Sequence, residues 1–290
     1  LWFLEGGHTL NLKLKEKRVA IVGRNRYEWV VTHISNLFGG IVSVPIDKEL
    51  QVNELEDSLI RSKVDAIVFD EKYIENIEYI KQNGKTNIKE FICMGNIDGY
   101  KTFNEVLKKG YEKLKNGEKD FIDYKIDPYK MSILLFTSGT TSKSKAVMLC
   151  QKGIATNVCD MLMVEGLLST DTNIAFLPFH HIFGSTCIIV MLAAGVKTVF
   201  PDGLRYIKQN LIEYQVSVFV GVPLLIDKMY SNIEKEIKKQ GKEKLMKRVT
   251  KISNFLLKFH IDLRRVIFKQ VLNQLGGKMR FVISRRSSTW

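Results

Sequence analysis

The chain has 290 residues, of which 45% are apolar, and a formal net charge of +13. This length can bury one large domain or two small ones. Its four cysteines lie far apart and no Cys or His spacing matches a zinc site, which argues against a disulfide scaffold and favours a reducing compartment. The longest apolar run is about half of a membrane span, and no secretory signal is visible.

The first part of the chain predicts alternating strands and helices. Short apolar runs indicate buried strands, and amphipathic stretches between them indicate helices. The alternation β-α-β-α-β requires crossover connections and predicts a mostly parallel sheet. A weaker, lysine-rich stretch at 71–129 is expected to be peripheral. We predict strands at 18–23, 41–46 and 64–70, and helices at 27–40 and 52–61.

The same alternation resumes after residue 150, with no internal repeat and no low-complexity linker. One continuous α/β unit therefore fits the sequence better than several domains. A last strand, "KMRFVIS", is expected near the end of the chain. We predict helices at 151–164, 181–194 and 204–214 and from Pro223 onward, and strands at 173–178, 197–200 and 216–221.

One segment carries all the excess positive charge. Residues 228–286 hold 17 Lys and Arg against four Asp and Glu, whereas the remainder is neutral. Apolar residues recur there every three or four positions, which predicts two helices with one apolar face each and basic side chains on the other faces. The two series are Leu245, Val249, Ile252, Leu256 and Phe259, and then Leu263, Ile267, Val271 and Leu275.

An anionic lipid surface is the partner that this basic segment fits best. Nucleic acid is not expected, because aromatic residues should then interleave with the basic face, and Phe255, Phe259 and Phe268 instead fall on or near the apolar faces. A merely solvated basic face remains an equal alternative.

The stretch "LLFTSGTTSKSKAVML" interrupts a strand-like run with nine residues, 137–145, that have no apolar side chain. Gly139 lets the backbone approach a ligand closely, the hydroxyls can donate to anionic oxygens, and Lys143 and Lys145 supply charge. Together these features predict a polyphosphate cradle. The spacing is not that of a Walker loop, because Ser144 stands where that motif needs Gly. A solvated Ser/Thr/Lys turn is the simpler alternative from composition alone.

The detailed string resembles the phosphate-binding signature of adenylate-forming enzymes, the superfamily of acyl-CoA synthetases, luciferases and adenylation domains. It departs from that signature at Ser142, Ser144 and Ala146, where the family usually has Gly, Pro and Gly. The positions that match are Phe136, Thr137, Ser138, Gly139, Thr140, Thr141 and Lys145.

Other stretches resemble the same superfamily in the same order. "LPFHHIFG" is similar to the motif whose histidine lies beside the acyl carboxylate, and "FVGVPLLIDKMY" to the strand, turn and helix that line the acyl pocket. Taken alone, each has a plain structural explanation in packing or in a Pro-initiated helix. "KRVAIVGRNRYEWV" and the basic helical pair resemble the long-chain fatty acyl-CoA synthetase branch.

The resemblance implies an α/β fold, the large N-terminal domain of the adenylate-forming fold, in which mostly parallel sheets are flanked by helices. It implies an ATP-dependent, AMP-forming ligase that joins a fatty acid to coenzyme A. The implied metal ion is Mg²⁺. The implied location is the cytoplasm, and peripheral contact with the inner membrane surface is an option. The implied catalytic residues are His181 and Lys145.

Further roles follow from the resemblance alone. The nucleotide phosphates would be held by Thr137, Ser138, Gly139, Thr140, Thr141, Ser142 and Lys145. Thr137 is also the implied Mg²⁺ ligand, and His181 would orient the carboxylate. Gly221, Val222 and Pro223 would border the acyl channel. Two alternatives stay open: another acid-activating enzyme, such as an aryl-CoA ligase or an adenylation domain, and a non-catalytic fragment that binds a membrane surface.

We expect the sequence to be a truncated form of such a domain. The chain does not begin with Met, and the family's adenine motif, ribose-binding Asp, hinge and C-terminal lysine are not found in it. The expected organisation is a partial AMP-binding domain over 1–284, with a basic helical insertion at about 228–277 and without the C-terminal lid domain. The tail "RRSSTW", 285–290, is expected to be aberrant, through a frameshift that replaced a glycine-rich turn; a natural short tail is the alternative.

The first prediction concerns the 290 residues by themselves. We expect little or no fatty-acid-dependent exchange between ATP and pyrophosphate, because the residues that the family uses for adenine, ribose and the adenylation lysine are not in this sequence. Isotope exchange with the purified chain measures this. Exchange clearly above that of a heat-inactivated sample contradicts the expectation.

Overall fold

The structure is a computed structural model that describes residues 5–7, 14, 16–137 and 144–284. The chain separates into two compact units, each with its own sheet, although the sequence predicted one continuous α/β unit. The strand and helix periodicities are the same in both, so no local pattern marks the change from one sheet to the other. The first unit comprises 1–165 and 178–190, and the second 166–177 and 191–290.

The first unit contains a seven-stranded sheet in the order β5-β4-β3-β1-β2-β6-β7. All its neighbouring strands are parallel except β6 and β7, which pair antiparallel. The predicted mostly parallel sheet is confirmed. Its strands are β1 (Arg18–Val22), β2 (Val42–Ile46), β3 (Ala66–Phe69), β4 (Glu90–Cys93), β5 (Lys101–Thr102), β6 (Met131–Thr137) and β7 (Lys145–Cys150).

Helices connect β1 to β2, β2 to β3, β3 to β4 and β5 to β6, as crossover connections in a parallel sheet usually do, whereas residues 94–100 join β4 to β5 without a helix. The first of these helices buries nine of its residues, among them Trp29 and His33, because it packs against the sheet along most of its length. The helices of this unit are α1 (Tyr27–Phe38), α2 (Val52–Ser62), α3 (Ile74–Asn83), α4 (Phe103–Lys115) and α5 (Gln151–Val164).

The central strands are buried on both faces, which explains why they read as continuous apolar runs rather than alternating ones. Val19, Ala20, Ile21 and Val22 of β1 are all fully buried. Burying one valine or isoleucine side chain contributes about 1.5–3 kcal/mol. The central strands therefore hold the carboxyl ends of the sheet at fixed positions.

The second unit contains a four-stranded parallel sheet in the order β11-β10-β8-β9. Phe219 is fully buried, and its ring stacks on Phe176 with centroids 4.7 Å apart. The strands are β8 (Thr172–Ile174), β9 (Lys197–Val199), β10 (Val218–Gly221) and β11 (Phe281–Ser284). The remaining helices are α6 (Ile182–Ala193), α7 (Ile207–Glu213), α8 (Pro223–Lys239), α9 (Glu243–Leu257), α10 (Arg264–Ile267) and α11 (Lys269–Asn273).

The structure differs from the sequence prediction at three places. The stretch after the polar loop forms β7, an edge strand whose first four residues are exposed, rather than the continuation of a buried element. The lysine-rich stretch at 71–129 supplies two strands at the other edge of the sheet. The second apolar series of the basic segment forms two short helices rather than one, because the backbone at Phe268 (φ −98°, ψ 21°) leaves helical geometry.

The basic segment also does not bury its apolar faces. Of the residues of α9, only Ser253 is buried, whereas Leu245, Ile252 and Phe255 are each more than half exposed. No helix in the described part of the chain is both long and apolar enough to cross a bilayer. The tail at 285–290 lies outside the described residues.

Candidate functional site

The carboxyl ends of β2 and β6 form one edge of the first sheet. The two strands are parallel and Ser43 pairs with Ile133, so four residues later Asp47 and Thr137 stand at the same level. Neighbouring strands lie about 4.8 Å apart. In parallel α/β sheets, ligands bind outside the carboxyl ends of the strands. The polar loop predicted from the sequence therefore leaves the sheet at the edge where a ligand is expected.

The polar loop connects two antiparallel strands, β6 and β7. Thr137 and Lys145 form the last residue pair of this hairpin, and the Thr137 hydroxyl donates to the Lys145 carbonyl oxygen at 3.4 Å. Both residues are exposed. The predicted phosphate-binding residues between them, Ser138, Gly139, Thr140, Thr141 and Ser142, lie outside the described residues.

Arg61 of α2 contacts the residues on both sides of this loop. Its Nη1 and Nη2 atoms donate to the Ser144 hydroxyl at 3.2 Å and to the Ser144 carbonyl oxygen at 2.6 Å. Its guanidinium also lies over the Phe136 ring, 5.3 Å from the centroid. A planar guanidinium can make both kinds of contact at once, which an ammonium cannot. Arg61 therefore fixes the start and the end of the loop relative to α2.

Packing against α1 holds the turn that carries the two histidines. The Phe179 ring lies 5.0 Å from that of Trp29, and both side chains are buried. The Phe179 backbone N–H also donates to the Asn25 side-chain oxygen at 3.4 Å. The carbonyl oxygen of His181 accepts from the Ser185 backbone N–H at 3.1 Å, so α6 starts directly after the histidine pair. The turn is thus fixed by a core contact on one side and a helix start on the other.

His180 lies at the same sheet edge as the loop. Its Nε2 atom is 3.6 Å from the Asp47 carboxylate, and Asp47 is level with Thr137. Burial lowers the pKa of His180 to about 4, more than the attraction of Asp47 raises it, so this ring is neutral near neutral pH. The rings of His180 and His181 lie 4.2 Å apart, and His181 is exposed. The structure therefore brings the predicted His181 to the edge from which the predicted loop emerges.

A second crevice at this edge, between β1 and β3, is filled by ion pairs. Asp70 is fully buried and accepts from Arg24 Nε at 2.7 Å and Nη2 at 2.8 Å. Burial raises the pKa of Asp70, but hydrogen bonds from Arg24 and from backbone N–H groups together hold it below its usual range. Arg26 joins the cluster through Glu71 at 2.8 Å. The polar side chains at the ends of β1 and β3 are therefore already paired with one another.

Gly221, Val222 and Pro223 stand at the carboxyl end of β10 in the second unit. A Cβ at Gly221 would lie 3.1 Å from the Phe219 ring, so a larger residue would crowd the strand. Pro223 begins α8, and the Val222 carbonyl oxygen accepts from the Leu225 N–H at 3.0 Å. Val222 and Leu224 are exposed, which leaves apolar surface after the strand. The predicted acyl-contacting residues therefore do form a strand, turn and helix start.

The described residues contain no cluster of three or more His, Cys, Asp or Glu side chains that could hold a metal ion. The Thr137 hydroxyl, at the end of β6, is the ligand implied by the sequence, and Asp47, which directly follows β2, is the carboxylate residue at the same edge. Such a sparse set suits Mg²⁺ that arrives with phosphate oxygens, since this ion usually takes one or two protein ligands and keeps its waters.

Sequence reasoning missed three residues at this edge, Asp47, His180 and Arg61. Asp47 directly follows a predicted strand, which is a usable signal for a ligand-facing position. His180 was seen in the motif, but its partner is more than a hundred residues earlier in the chain. Arg61 carries no local signal, because only the tertiary structure brings α2 to the hairpin.

Comparison with known proteins identifies the family. The model of the AMP-binding enzyme family matches residues 9–284. Long chain acyl-CoA synthetase 4 of Arabidopsis thaliana is 25% identical over 93% of this chain and 44% of its own length. Fatty acyl-CoA synthetase B of Dictyostelium discoideum is 25% identical over 97% of this chain and 44% of its own length. The chain thus spans less than half the length of these relatives.

Solved structures share the fold. A long-chain-fatty-acid–CoA ligase from Archaeoglobus fulgidus superposes with a TM-score of 0.69 at 21% identity, over 81% of this chain and 46% of that protein. The anthranilate CoA ligase AuaEII, solved with anthranoyl-AMP, gives a TM-score of 0.66 at 18% identity, over 77% of this chain and 44% of its own. The predicted fold class is confirmed.

The second prediction concerns Arg61. Replacing it in Arg61→Ala removes two hydrogen bonds to Ser144 and the contact with Phe136, so β7 should open more often. We expect roughly tenfold faster hydrogen exchange at the amides of β7, measured by mass spectrometry. Arg61→Lys should behave similarly, because an ammonium lacks the fork.

Lys108→Ala on α4 is the matched control and should leave β7 exchange unchanged, since Lys108 is an exposed residue away from the hairpin. Unchanged β7 exchange in Arg61→Ala would show that the hairpin hydrogen bonds alone hold this strand.

Proposed function

Since the chain belongs to the AMP-binding enzyme family, we propose that it serves the ATP-dependent activation of long-chain fatty acids for transfer to coenzyme A. The observation that carries this proposal is the joint position of two sequence motifs. The loop closed by Thr137 and Lys145 and the turn with His181 reach the same carboxyl edge of one sheet, through Asp47.

The proposed chemistry explains why such a site needs donors and positive charge. A carboxylate is a poor electrophile, because its leaving group would be oxide. Attack of the carboxylate oxygen on the α-phosphorus of ATP forms an acyl adenylate and releases pyrophosphate. The thiol of coenzyme A then attacks the acyl carbon, loses its proton and releases AMP. The reacting groups are all anions, so fixed donors that reduce their repulsion lower the barrier.

We assign binding of the ATP triphosphate to the polar loop at 137–145. Lys145 supplies a positive charge at the end of the hairpin, and Thr137 supplies a hydroxyl at its start. The intervening Ser138, Gly139, Thr140, Thr141 and Ser142 complete the cradle in this proposal. Mg²⁺, when bound with the triphosphate, would neutralise phosphate charge, with Thr137 as its protein ligand. Arg61 of α2 contacts the residues that precede and follow the loop, Phe136 and Ser144.

We assign the acid to the histidine turn. His181 is exposed at the end of the turn, where its ring nitrogen can donate to a carboxylate. His180 is held beside Asp47 and is neutral near neutral pH, so it positions the turn without adding a second charge. The proposed contacts of the acyl chain lie in the second unit, at Gly221, Val222 and Pro223. The side chains of Val222 and Leu224 are exposed there and offer apolar surface.

The proposal that the activated acid is a long-chain fatty acid is supported by the sequence relatives. The two named above are acyl-CoA synthetases by name, whereas the fold alone is shared with an anthranilate CoA ligase. An aryl-CoA ligase or an adenylation domain is therefore the second candidate within the family.

The third prediction separates the two assigned roles. Lys145→Ala should weaken binding of the non-hydrolysable β,γ-methylene analogue of ATP by roughly tenfold, because one charge-assisted contact to phosphate is lost. His181→Ala should leave this analogue unaffected but weaken binding of the sulfamoyl analogue of oleoyl adenylate. Isothermal titration calorimetry with Mg²⁺ measures both affinities.

Lys125→Ala, which removes an exposed charge elsewhere in the first unit, should change neither affinity. If Lys145→Ala and Lys125→Ala changed the affinity for the ATP analogue equally, the assignment of phosphate binding to the loop would be wrong. Tighter binding of the anthraniloyl than of the oleoyl analogue would favour the second candidate.

The basic segment supports a peripheral membrane role beside this activity. Exposed Leu245, Ile252 and Phe255 on α9 place apolar surface among basic side chains, and residues 228–286 hold 17 Lys and Arg against four acidic residues. Amphipathic helices of this composition bind anionic lipid surfaces. This arrangement suits a fatty substrate that partitions into membranes, and peripheral contact at the cytoplasmic face of a membrane is part of the proposal.

The fourth prediction tests that surface. The chain should bind phosphatidylserine vesicles at low salt and dissociate as salt rises, because salt screens the attraction. Ile252→Ser with Phe255→Ser should reduce binding, whereas Tyr111→Ser, an exposed aromatic of the first unit, should not. Vesicle sedimentation measures both. No binding at low salt would make the basic face merely solvated.

A further inference from the structure

A polar cleft of about 740 Å³ opens at the amino ends of the strands in the second sheet. Thr172 is the first residue of β8, Lys197 is the first of β9, and Ser217 and Arg280 directly precede β10 and β11. This edge is opposite to the one where Gly221 ends β10. Within the second unit, the cleft is therefore separate from Gly221, Val222 and Pro223. Its lining is Thr170, Asp171, Thr172, Lys197, Glu213, Tyr214, Gln215, Ser217, Arg265, Lys278 and Arg280.

The cleft carries more positive than negative charge. Four of its lining side chains are basic and two are acidic, Asp171 and Glu213. Within the described part of the chain, the ammonium groups of Lys197 and Lys278 take part in no hydrogen bond or ion pair. Arg265 uses only Nη2, which donates to the Met279 carbonyl oxygen at 3.0 Å. Most of the donors in this cleft are thus available to a ligand.

The floor of the cleft is fixed by Asp171, whose side chain is only 2% exposed. Its carboxylate accepts from the Ser217 hydroxyl at 2.7 Å, from the Leu168 N–H at 2.8 Å and from Arg280. Burial raises the pKa of Asp171, but hydrogen bonds from Arg280, Ser217 and Leu168 together hold it below its usual range. Asp171 therefore stays ionised and holds the Arg280 guanidinium in place.

The fixed arginine has a second set of contacts. Arg280 Nη2 donates to the Gly166 carbonyl oxygen at 3.3 Å, and its guanidinium lies 5.4 Å from the centroid of the Phe281 ring. Since the charge of Arg280 is balanced by Asp171, the excess in the cleft comes from Lys197, Arg265 and Lys278 against Glu213. Among the groups that line the cleft, this leaves an excess of two positive charges, which matches an anion with at least two negative charges rather than a single carboxylate.

We propose that this cleft binds a phosphate-rich anion, a diphosphate or a phosphomonoester, through Lys197, Arg265 and Lys278 above the Asp171–Arg280 pair. The hydroxyls of Thr170 and Thr172 line the same space and can donate to phosphate oxygens. Arg265 supplies the planar fork that suits phosphate, and the lysines add point charges. The site goes beyond the proposed ligase activity, because none of its lining residues is assigned to that activity and, on this sheet, it lies at the opposite ends of the strands from Gly221.

The ligand can come from two sources with the same chemistry, a diphosphate free in solution or the headgroup of a phosphomonoester lipid. The probes are sodium pyrophosphate for the first and vesicles of phosphatidylcholine with phosphatidic acid for the second. Vesicles with phosphatidylserine at equal charge density control for general attraction to anionic lipid.

The fifth prediction uses the full chain with Lys145→Ala as the background, which weakens the competing contribution of the proposed nucleotide loop. Pyrophosphate should bind in a saturable manner, measured by calorimetry. Adding Lys197→Gln and Lys278→Gln together should weaken binding by at least about tenfold, because two charge-assisted contacts are lost. Lys235→Gln with Lys239→Gln on α8 removes the same number of exposed charges and should have no effect.

Protection of lysines from acetylation shows where pyrophosphate binds. Pyrophosphate should protect Lys197 and Lys278 from acetylation in the unsubstituted chain, as seen by mass spectrometry, and leave Lys235 and Lys239 reactive. Stronger binding to phosphatidic acid than to phosphatidylserine vesicles, lost in the Lys197→Gln, Lys278→Gln variant, identifies the lipid source. Protection by pyrophosphate with no such lipid preference identifies the free anion.

Two results overturn the proposal. One is the absence of saturable pyrophosphate binding together with unchanged acetylation of Lys197 and Lys278. The other is an equal loss of binding in the two double variants, which would show diffuse attraction to a basic surface. Acetylation is read at Lys197 and Lys278 themselves, and the two double variants differ only in which lysines are replaced, so neither result depends on the proposed role of the nucleotide loop.

Discussion

The parallel pairing of β2 with β6 is the contact on which the candidate site depends. It places Asp47 level with Thr137, so that a carboxylate from one crossover unit and the start of the polar loop share one edge. His180 reaches the same place through Asp47. If this pairing slipped by one residue, every side chain on the strand would change face. The buried central strands make such a slip costly, because they are packed on both sides.

The contacts around that edge hold the backbone on either side of the proposed ligand-binding groups. Arg61 holds the two ends of the hairpin, the Phe179 ring packs on Trp29, and Arg24 with Asp70 fills the neighbouring crevice. Each of these joins residues that are far apart in the chain. They leave exposed the three groups that we propose to contact the ligands, Thr137, Lys145 and His181. Preorganisation of this kind lets a site hold anions without reorganising when they arrive.

The two ends of the parallel strands in the second unit carry chemically different side chains. At the carboxyl end of β10, Gly221 and Val222 leave an apolar surface and a helix start. At the amino ends, Asp171 and Arg280 build a charged floor. A parallel sheet collects side chains from all its strands at each end, so two chemically distinct sites can coexist on one sheet. The exposed apolar residues of α9 add a third kind of surface, which the same unit leaves uncovered.

The sequence by itself determined the local elements, the phosphate-loop and histidine motifs, and the family. Strand and helix periods are local properties, and β1, α1 and α5 follow them closely. Only the tertiary structure decided the separation into two sheets, the antiparallel course of β7 and the break in the last apolar series. It also decided which side chains meet: Asp47 with His180, Arg61 with Ser144, and Asp171 with Arg280. These contacts depend on strand order and crossover packing, which no short stretch of residues encodes, because the partners are far apart in the chain.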